Sequence, residues 1–133
     1  MKLTTKSEYS LLALIYLARE ERDSFVKIET ICKEHTISKK YLEQLLTLLI
    51  RRGFIVAKRG AHGGYALAKP ANKITIASII RLMDGALAPT ESVSTFFFAH
   101  TPLEKEKKIL KVMKSIRDDI ARRLEKLTLA DLI

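Results

Sequence analysis

Residues 39–59 contain the side chains with the clearest chemical potential in this sequence. The segment holds one acid, Glu43, and six basic residues: Lys39, Lys40, Arg51, Arg52, Lys58 and Arg59. Ammonium and guanidinium groups at this density attract the phosphates of a nucleic acid. A carboxylate is repelled by phosphate, but it can accept a hydrogen bond from the N4 amino group of cytosine in the major groove. The segment therefore predicts DNA binding that reads bases as well as phosphates.

The beginning of this segment is predicted to form a helix over residues 39–52. Ser38 is suited to cap it, and apolar residues follow at helical spacing: Leu42, Leu45, Leu46 and Leu49. A helix in the major groove presents its first turns to the base edges, where Gln44 would read adenine. Ser38 and Tyr41 would hold phosphates. The predicted DNA-binding residues of the helix are Ser38, Lys39, Lys40, Tyr41, Glu43 and Gln44.

A β-hairpin is predicted directly after this helix. Residues 54–59 and 65–68 have the composition of strands, and the glycine-rich turn 60–64 between them tolerates positive φ angles. Arg59 is suited to the minor groove, whose negative potential attracts a guanidinium group. Glycines would let the backbone approach DNA closely. The predicted DNA contacts of this wing are Lys58, Arg59, Gly60, His62 and Gly63.

Both elements have an alternative explanation that needs no DNA. The polar side of the helix fits an ordinary solvated face, with Lys39 and Glu43 as an i, i+4 ion pair. The wing fits a plain turn whose charges increase solubility. A winged helix also serves in some proteins as a protein–protein interaction module. The salt dependence of DNA affinity separates these alternatives, because phosphate contacts make it steep.

The chain of 133 residues is long enough for one domain with its own core. Besides the helix at 39–52, periodicity predicts a polar break at 20–24 and helices over residues 8–20, 27–35, 75–84 and 103–127. This order is that of a mainly α winged helix-turn-helix domain with a small β-hairpin wing, followed by a long C-terminal dimerisation helix. The predicted parts are the DNA-binding domain (1–85), an irregular loop (86–102), and the dimerisation helix with a C-terminal cap (103–133).

The long helix carries an apolar seam that predicts a homodimer. The seam residues follow one another at steps of three or four: Ile109, Met113, Ile116, Ile120 and Leu124. One helix and one wing read only a short half-site, so two copies on a palindromic operator give a site of useful specificity. Intramolecular packing of this seam onto the first helix is the alternative.

Composition and spacing exclude several other classes of protein. The net charge of +9, from 24 Lys and Arg against 15 Asp and Glu, favours a polyanionic partner. Cys32 is the single cysteine, which excludes an internal disulfide and a cysteine-based zinc site, and we expect a buried structural thiol. His35, His62 and His100 lack metal-ligand spacing, so we expect no metal and no cofactor. No catalytic set occurs at a workable spacing, and we expect no enzyme.

The absence of a long apolar segment or a signal peptide predicts a cytoplasmic protein that binds no membrane.

The loop 86–102 contains three successive phenylalanines, Phe96, Phe97 and Phe98, whose exposure to water is costly. We expect them to pack beneath the long helix or across the dimer. A sharper hypothesis is that they line a pocket for an effector.

Four stretches of this sequence resemble a known bacterial family. They are the opening 1–9, the turn and helix start 37–45, the wing 59–67 with its continuation 74–85, and the ending 127–132. Together they resemble the family of the iron–sulfur cluster regulator IscR, the nitric-oxide sensor NsrR and the cysteine-metabolism repressor CymR, often called Rrf-two. The resemblance implies a DNA-binding transcription regulator. It also implies that Lys2 and Thr4, near the start of the first helix, contact phosphate.

The sequence departs from the cluster-binding members in the loop 86–102. Those members carry three cysteines there, and this loop has none. Because one thiolate cannot hold a cluster that usually needs four ligands, the resemblance implies the DNA-binding role without the cluster. We therefore expect a dimeric, sequence-specific repressor of the cluster-less branch. Its small-molecule or protein effector is unknown, and action through a partner protein is the alternative.

Overall fold

The structure is a computed structural model that describes residues 1–21 and 23–133. The helices and strands in this part of the chain are α1 (Thr5–Arg19), α2 (Ile28–His35), α3 (Lys39–Arg51), β1 (Ile55–Lys58), β2 (Gly64–Leu67), α4 (Ile76–Asp84) and α5 (Lys107–Lys126). This order confirms the predicted winged helix-turn-helix fold. The predicted polar break at 20–24 includes Arg22, which lies outside the described residues.

Helix α1 lies at the centre of the molecule, and α2, α3, α4 and β2 all pack against it. Its buried side chains are Ser7, Ser10, Ala13, Leu14 and Leu17. The predicted helix began at residue 8 because the first turn contains polar residues without apolar periodicity. Ser7 is nevertheless fully buried, since a small side chain lets two helices approach closely.

The wing is a two-stranded antiparallel hairpin that a third segment extends. Strands β1 and β2 pair from Ile55 with Leu67 to Lys58 with Gly64. Val26 forms an isolated bridge on the other side of β2, where it exchanges two backbone hydrogen bonds of 2.8 Å with Tyr65. The sequence did not predict this bridge, because a single bridging residue has no alternating pattern.

The C-terminal cap returns to the N-terminal part of the chain. Thr75 caps α4 by accepting the Ser78 N–H at 3.2 Å, and it also forms a bridge with Thr128. The Leu129 N–H donates to the Ile74 carbonyl at 3.0 Å, and the Leu129 side chain is fully buried in the same core as Leu14. The end of the predicted unit 103–133 therefore packs into the core of the predicted unit 1–85.

Helix α5 begins four residues later than predicted, at Lys107 rather than at residue 103. Pro102–Lys105 form a separate 3-10 turn with a capping box between Thr101 and Glu104. Glu106, which has extended φ and ψ angles, separates this turn from α5. The apolar periodicity starts only at Ile109, so it did not define where the helix begins. The predicted start at residue 103 therefore included the separate turn.

The apolar seam of α5 divides between two directions. Ile120 and Leu124 pack against the core of their own chain, on the side where α5 meets α4. The intramolecular alternative named the first helix as the partner, so only its general idea agrees with the structure. Ile109 and Met113 are half-buried, and Ile116 is 38 % exposed. Val112, which the predicted seam omitted, is 51 % exposed. The first half of α5 therefore retains an open apolar face.

The loop 86–102 is fastened to the helices by its first half and exposes its phenylalanines. Val93 is buried, and its carbonyl accepts a hydrogen bond of 2.9 Å from the Arg117 guanidinium of α5. Phe96, Phe97 and Phe98 are 69 %, 45 % and 53 % exposed. The expectation that they pack beneath the long helix was therefore wrong. Burial across a dimer stays a prediction.

Leu129→Ala is expected to lower the free energy of unfolding by about 2–5 kcal/mol, because it leaves a cavity in the shared core. Ile133→Ala is the matched control, since Ile133 is 59 % exposed, and it should change stability by less than about 0.5 kcal/mol. Urea unfolding measures both variants. An equally small loss in the two would contradict the burial of the C-terminal cap.

Candidate nucleic-acid interface

Helix α3 presents a capped N-terminus and a polar face to solvent. The Tyr41 N–H donates to Ser38 Oγ at 3.2 Å, which confirms the predicted cap. The leucines of its apolar face are buried, as predicted: Leu42, Leu45, Leu46 and Leu49. Burial of that face turns the opposite side outward, where Lys40, Glu43 and Gln44 are exposed. These side chains are accessible to a groove of DNA.

Lys39 pairs with α2 rather than with its own helix. Its ammonium lies 2.9 Å from the Glu29 carboxylate. This hydrogen bond lowers the pKa of Glu29 and raises the pKa of Lys39. The alternative in which Lys39 pairs with Glu43 is therefore wrong. Glu43 has no ion-pair partner within residues 1–21 and 23–133, which leaves its carboxylate available to a base.

Ser38 and Tyr41 are partly committed to contacts within the protein. Ser38 Oγ accepts from the backbone, but its own hydroxyl proton is not used by that bond and can still be donated to a phosphate. The Tyr41 ring is half-buried and packs edge-to-face on Tyr9, with 5.7 Å between the ring centroids. The contact with Tyr9 therefore orients Tyr41 and links α3 to α1.

A loop of five residues, 59–63, joins the two strands of the wing, and its first four residues are exposed. Arg59, Gly60 and His62 are exposed, as a DNA contact requires. The Lys58 ammonium lies 5.5 Å from the centroid of the Phe25 ring and makes a cation–π contact with it. Lys58 is therefore partly engaged within the protein.

Gly63 does not lie on the surface of the wing. It is buried, and a Cβ atom there would lie 2.1 Å from the Lys58 carbonyl oxygen. Gly64 has a φ of +142°, and a Cβ atom there would lie 2.4 Å from the Val26 carbonyl oxygen. Both glycines are therefore explained by close approaches inside the protein. The prediction that Gly63 contacts DNA is not supported by its position.

The N-terminal segment is tied to the end of α4. The Thr4 N–H donates to an Asp84 carboxylate oxygen at 2.9 Å, and the Thr4 hydroxyl donates to the other oxygen. Partial burial opposes ionisation of Asp84, but the two hydrogen bonds from Thr4, together with smaller contributions from Ser7 and Lys6, outweigh it and lower the pKa. Thr4 thus uses both donors inside the protein. Lys2 is exposed and stays a predicted phosphate contact.

Two residues near the interface were not singled out by the sequence. Lys27 donates from its ammonium to the Gly60 carbonyl at 2.7 Å, across 33 positions of the chain. Glu29 pairs with Lys39, as described above. Neither contact has a signal in the local pattern, because each joins elements that only the tertiary fold brings together.

A shallow cavity of about 300 Å³ lies between the N-terminal segment and the loop 86–102. Lys2, Asp84 and Glu91 contribute charged groups to its lining. Of the three phenylalanines, only Phe97 lines it. The three phenylalanines therefore do not share this cavity, and an effector site stays a prediction.

Comparison with known proteins shows one consistent group of relatives. The family model Rrf2, described as an iron-dependent transcriptional regulator, matches residues 3–133. The transcriptional regulator CymR of Bacillus subtilis is 33 % identical over 132 residues, which is 99 % of this chain and 89 % of CymR.

Solved structures agree with this grouping. The structure of CymR (YrzC), the global cysteine regulator of B. subtilis, matches with a TM-score of 0.80 and 32 % identity. The match covers 99 % of this chain and 95 % of that one. The structure of T. potens IscR matches with a TM-score of 0.71 and 31 % identity, over 99 % of this chain and 85 % of that one.

The residues of this chain do not fit the iron that the family description names. The loop 86–102 contains no cysteine. We expected Cys32 to be buried, but it is only half-buried in α2. Burial raises the pKa of its thiol. The raised pKa disfavours the thiolate, which is the form that binds metal. His100 Nδ1 lies 3.0 Å from Glu104. In the described part of the chain, no three His, Cys, Asp or Glu side chains form a group that could hold a metal ion.

None of the described helices is both long and apolar enough to cross a membrane.

Asp84 is expected to make stability depend on pH in the acid range. Its pKa is lowered in the folded protein, so its contribution is complete above the ordinary carboxyl pKa of about 4 and is lost as pH falls through the lowered value. Asp84→Asn should therefore destabilise the protein at pH 7, and the difference from wild type should shrink below about pH 4.

Urea midpoints measured between pH 7 and pH 2.5 test this prediction. Glu34→Gln is the matched control, because Glu34 is an exposed carboxylate on α2 without an ion pair among the described residues. A constant difference between Asp84→Asn and wild type at every pH would contradict it.

Proposed function

Because the chain belongs to the Rrf2 family of transcriptional regulators, we propose that it is a homodimeric, sequence-specific DNA-binding repressor that uses no iron–sulfur cluster. The carrying observation is the exposed start of α3, where Glu43 has no ion-pair partner among the described residues, although the segment 39–59 contains six basic residues. An acid in that position weakens general attraction to phosphate. It is useful where it accepts a hydrogen bond from cytosine.

The proposed division of work follows from the exposure of each side chain. Glu43 and Gln44 read base edges in the major groove, and Lys40 and the Ser38 hydroxyl bind phosphates. Arg59 enters the adjacent minor groove from the wing tip, with His62 beside a phosphate. Lys39 contributes less than a free lysine, because Glu29 neutralises part of its charge.

The dimer is proposed to form through the open apolar face of α5. Ile109, Val112 and Ile116 follow one another at steps of three and four, so they lie on one side of the helix. The apolar side chains of Val112 and Ile116 are exposed, and this exposure is unfavourable in a monomer. A second copy is the favoured occupant, because two half-sites related by a two-fold axis match two identical reading heads.

Repression is the mode of regulation that requires the fewest additional functions from this chain. A dimer on its operator blocks access to the DNA that it covers, and no further chemistry is required. The absence of cysteine from the loop 86–102 supports regulation by some other signal.

A second candidate is a regulator that acts through a partner protein. The exposed side chains of Phe96, Phe97 and Phe98 favour it, because adjacent aromatic side chains on a surface are typical of protein contacts. In that case the purified chain alone would bind DNA weakly and without sequence preference.

The first experiment is selection of genomic fragments by the purified, metal-free protein at physiological salt, followed by footprinting. We expect a palindromic site bound at about nanomolar affinity. Glu43→Gln should reduce discrimination at one base position of each half-site by about 1–3 kcal/mol. Arg59→Ala should weaken binding and lower the slope of log K against log salt by about one.

Lys111→Ala on α5 is the control for loss of one exposed positive charge, and it should leave sequence preference unchanged. Weak, sequence-blind binding by the wild-type protein would reject the proposed function and favour the partner protein.

The dimer is tested by Ile116→Asp, which places a charge in the open apolar face of α5. We expect the wild-type protein to be a dimer at micromolar concentration by light scattering, and this variant to be a monomer with reduced operator affinity. Lys114→Asp is the control, because Lys114 lies two residues away on a different side of the helix. A monomeric wild-type protein would contradict the proposal.

A further inference from the structure

The wing is held from behind by the residues that precede α2. Val26 exchanges two backbone hydrogen bonds with Tyr65 in β2. The Phe25 ring lies under the Lys58 ammonium. These contacts fix the strands of the hairpin, but none of them involves the loop 59–63.

Lys27 supplies that contact at the wing tip. Its ammonium donates to the Gly60 carbonyl at 2.7 Å. The same carbonyl accepts the Gly63 N–H at 3.0 Å, which is the hydrogen bond that closes the turn. Both lone pairs of the Gly60 oxygen are therefore used, and one side chain from outside the hairpin completes the turn.

The same turn of α2 also contacts the beginning of α3. Lys27 is the N-cap residue of α2, and Glu29 lies two residues further on. Glu29 holds the Lys39 ammonium at 2.9 Å, at the first residue of α3. The wing tip and the reading helix are thus both fastened to one short stretch of backbone.

We propose that Lys27 is a positioning residue for DNA binding, which holds the wing tip at a fixed distance from α3 through the N-terminal turn of α2. This inference rests on the proposed function, since it assigns the wing and α3 to one DNA site. Lys27 itself makes no phosphate contact in this scheme. Its ammonium donates a hydrogen bond to the Gly60 carbonyl. Its effect on DNA binding is transmitted through the positions of Arg59 and His62.

The energetic consequence is modest and measurable. Lys27 and Glu29 are both exposed, so neither contact makes a large contribution to global stability. A hydrogen bond of this kind is worth about threefold to tenfold in a local equilibrium. Loss of Lys27 should therefore loosen the wing tip without unfolding the protein.

The test compares Lys27→Met with Lys33→Met. Lys33 is an exposed lysine on the same helix with no ion pair or side-chain hydrogen bond in the described structure, so the two variants lose the same charge. Hydrogen exchange of the Gly63 amide in the free protein should be about threefold to tenfold faster in Lys27→Met than in Lys33→Met. Operator affinity should fall by a similar factor.

The salt slope of operator binding should be the same in both variants, because neither lysine is a phosphate contact in this scheme. Lys27→Arg should restore most of the affinity and of the protection, since a guanidinium can donate to the same carbonyl. A purely electrostatic role would make Lys27→Met lower the slope by about one while wing exchange stays unchanged.

Two results would overturn the inference. One is equal exchange of the wing amides in Lys27→Met and Lys33→Met, and the other is faster exchange with equal operator affinity. If the wild-type protein selects no operator, the proposed function fails and the DNA part of this inference fails with it. The exchange experiment uses free protein, so it still reports whether Lys27 holds the wing.

Discussion

Enclosure of α1 is the constraint on which the rest of the structure depends. Ala13 and Leu14 are fully buried, as are the small residues Ser7 and Ser10 nearer the beginning of the helix. A helix that is covered on several sides leaves little room for large side chains, because protein interiors are close-packed. The elements around it are therefore placed by their apolar faces. Helix α3 is one of them, and burial of its leucines turns its polar face to solvent.

Around this core, the functional elements are joined by polar contacts at the surface. Lys27 joins the wing to α2, Glu29 joins α2 to α3, and Asp84 joins the N-terminal segment to α4. Exposed contacts of this kind are weak and depend on salt. The core gives the chain its stability, whereas these contacts adjust the relative positions of the elements that would meet DNA.

Helix α5 packs against its own chain and carries the proposed contact with a second copy. Its later apolar residues pack against the core, and the Arg117 guanidinium holds the loop 86–102 through the Val93 carbonyl. Its earlier apolar residues, including Val112, stay open. One helix therefore connects the proposed dimer face, the loop and the DNA-binding core.

The sequence alone determined the elements whose signals are local. Leucine spacing identified α3, Ser38 identified its first turn, and the glycine-rich segment between two apolar runs identified the hairpin. Resemblance in four stretches identified the family. These features depend on residues close together in the chain, where periodicity and capping chemistry are visible without the fold.

Only the tertiary structure decided which of these residues are free to act. It assigned Lys39 to Glu29, buried Gly63, engaged Thr4 with Asp84, and exposed the phenylalanines that were expected to be covered. Each outcome depends on partners distant in the chain, so no local pattern records it. Side-chain type shows what a residue can bind, whereas its partners in the folded chain decide whether it is available, because each donor or charge satisfied inside the protein is less free to meet DNA.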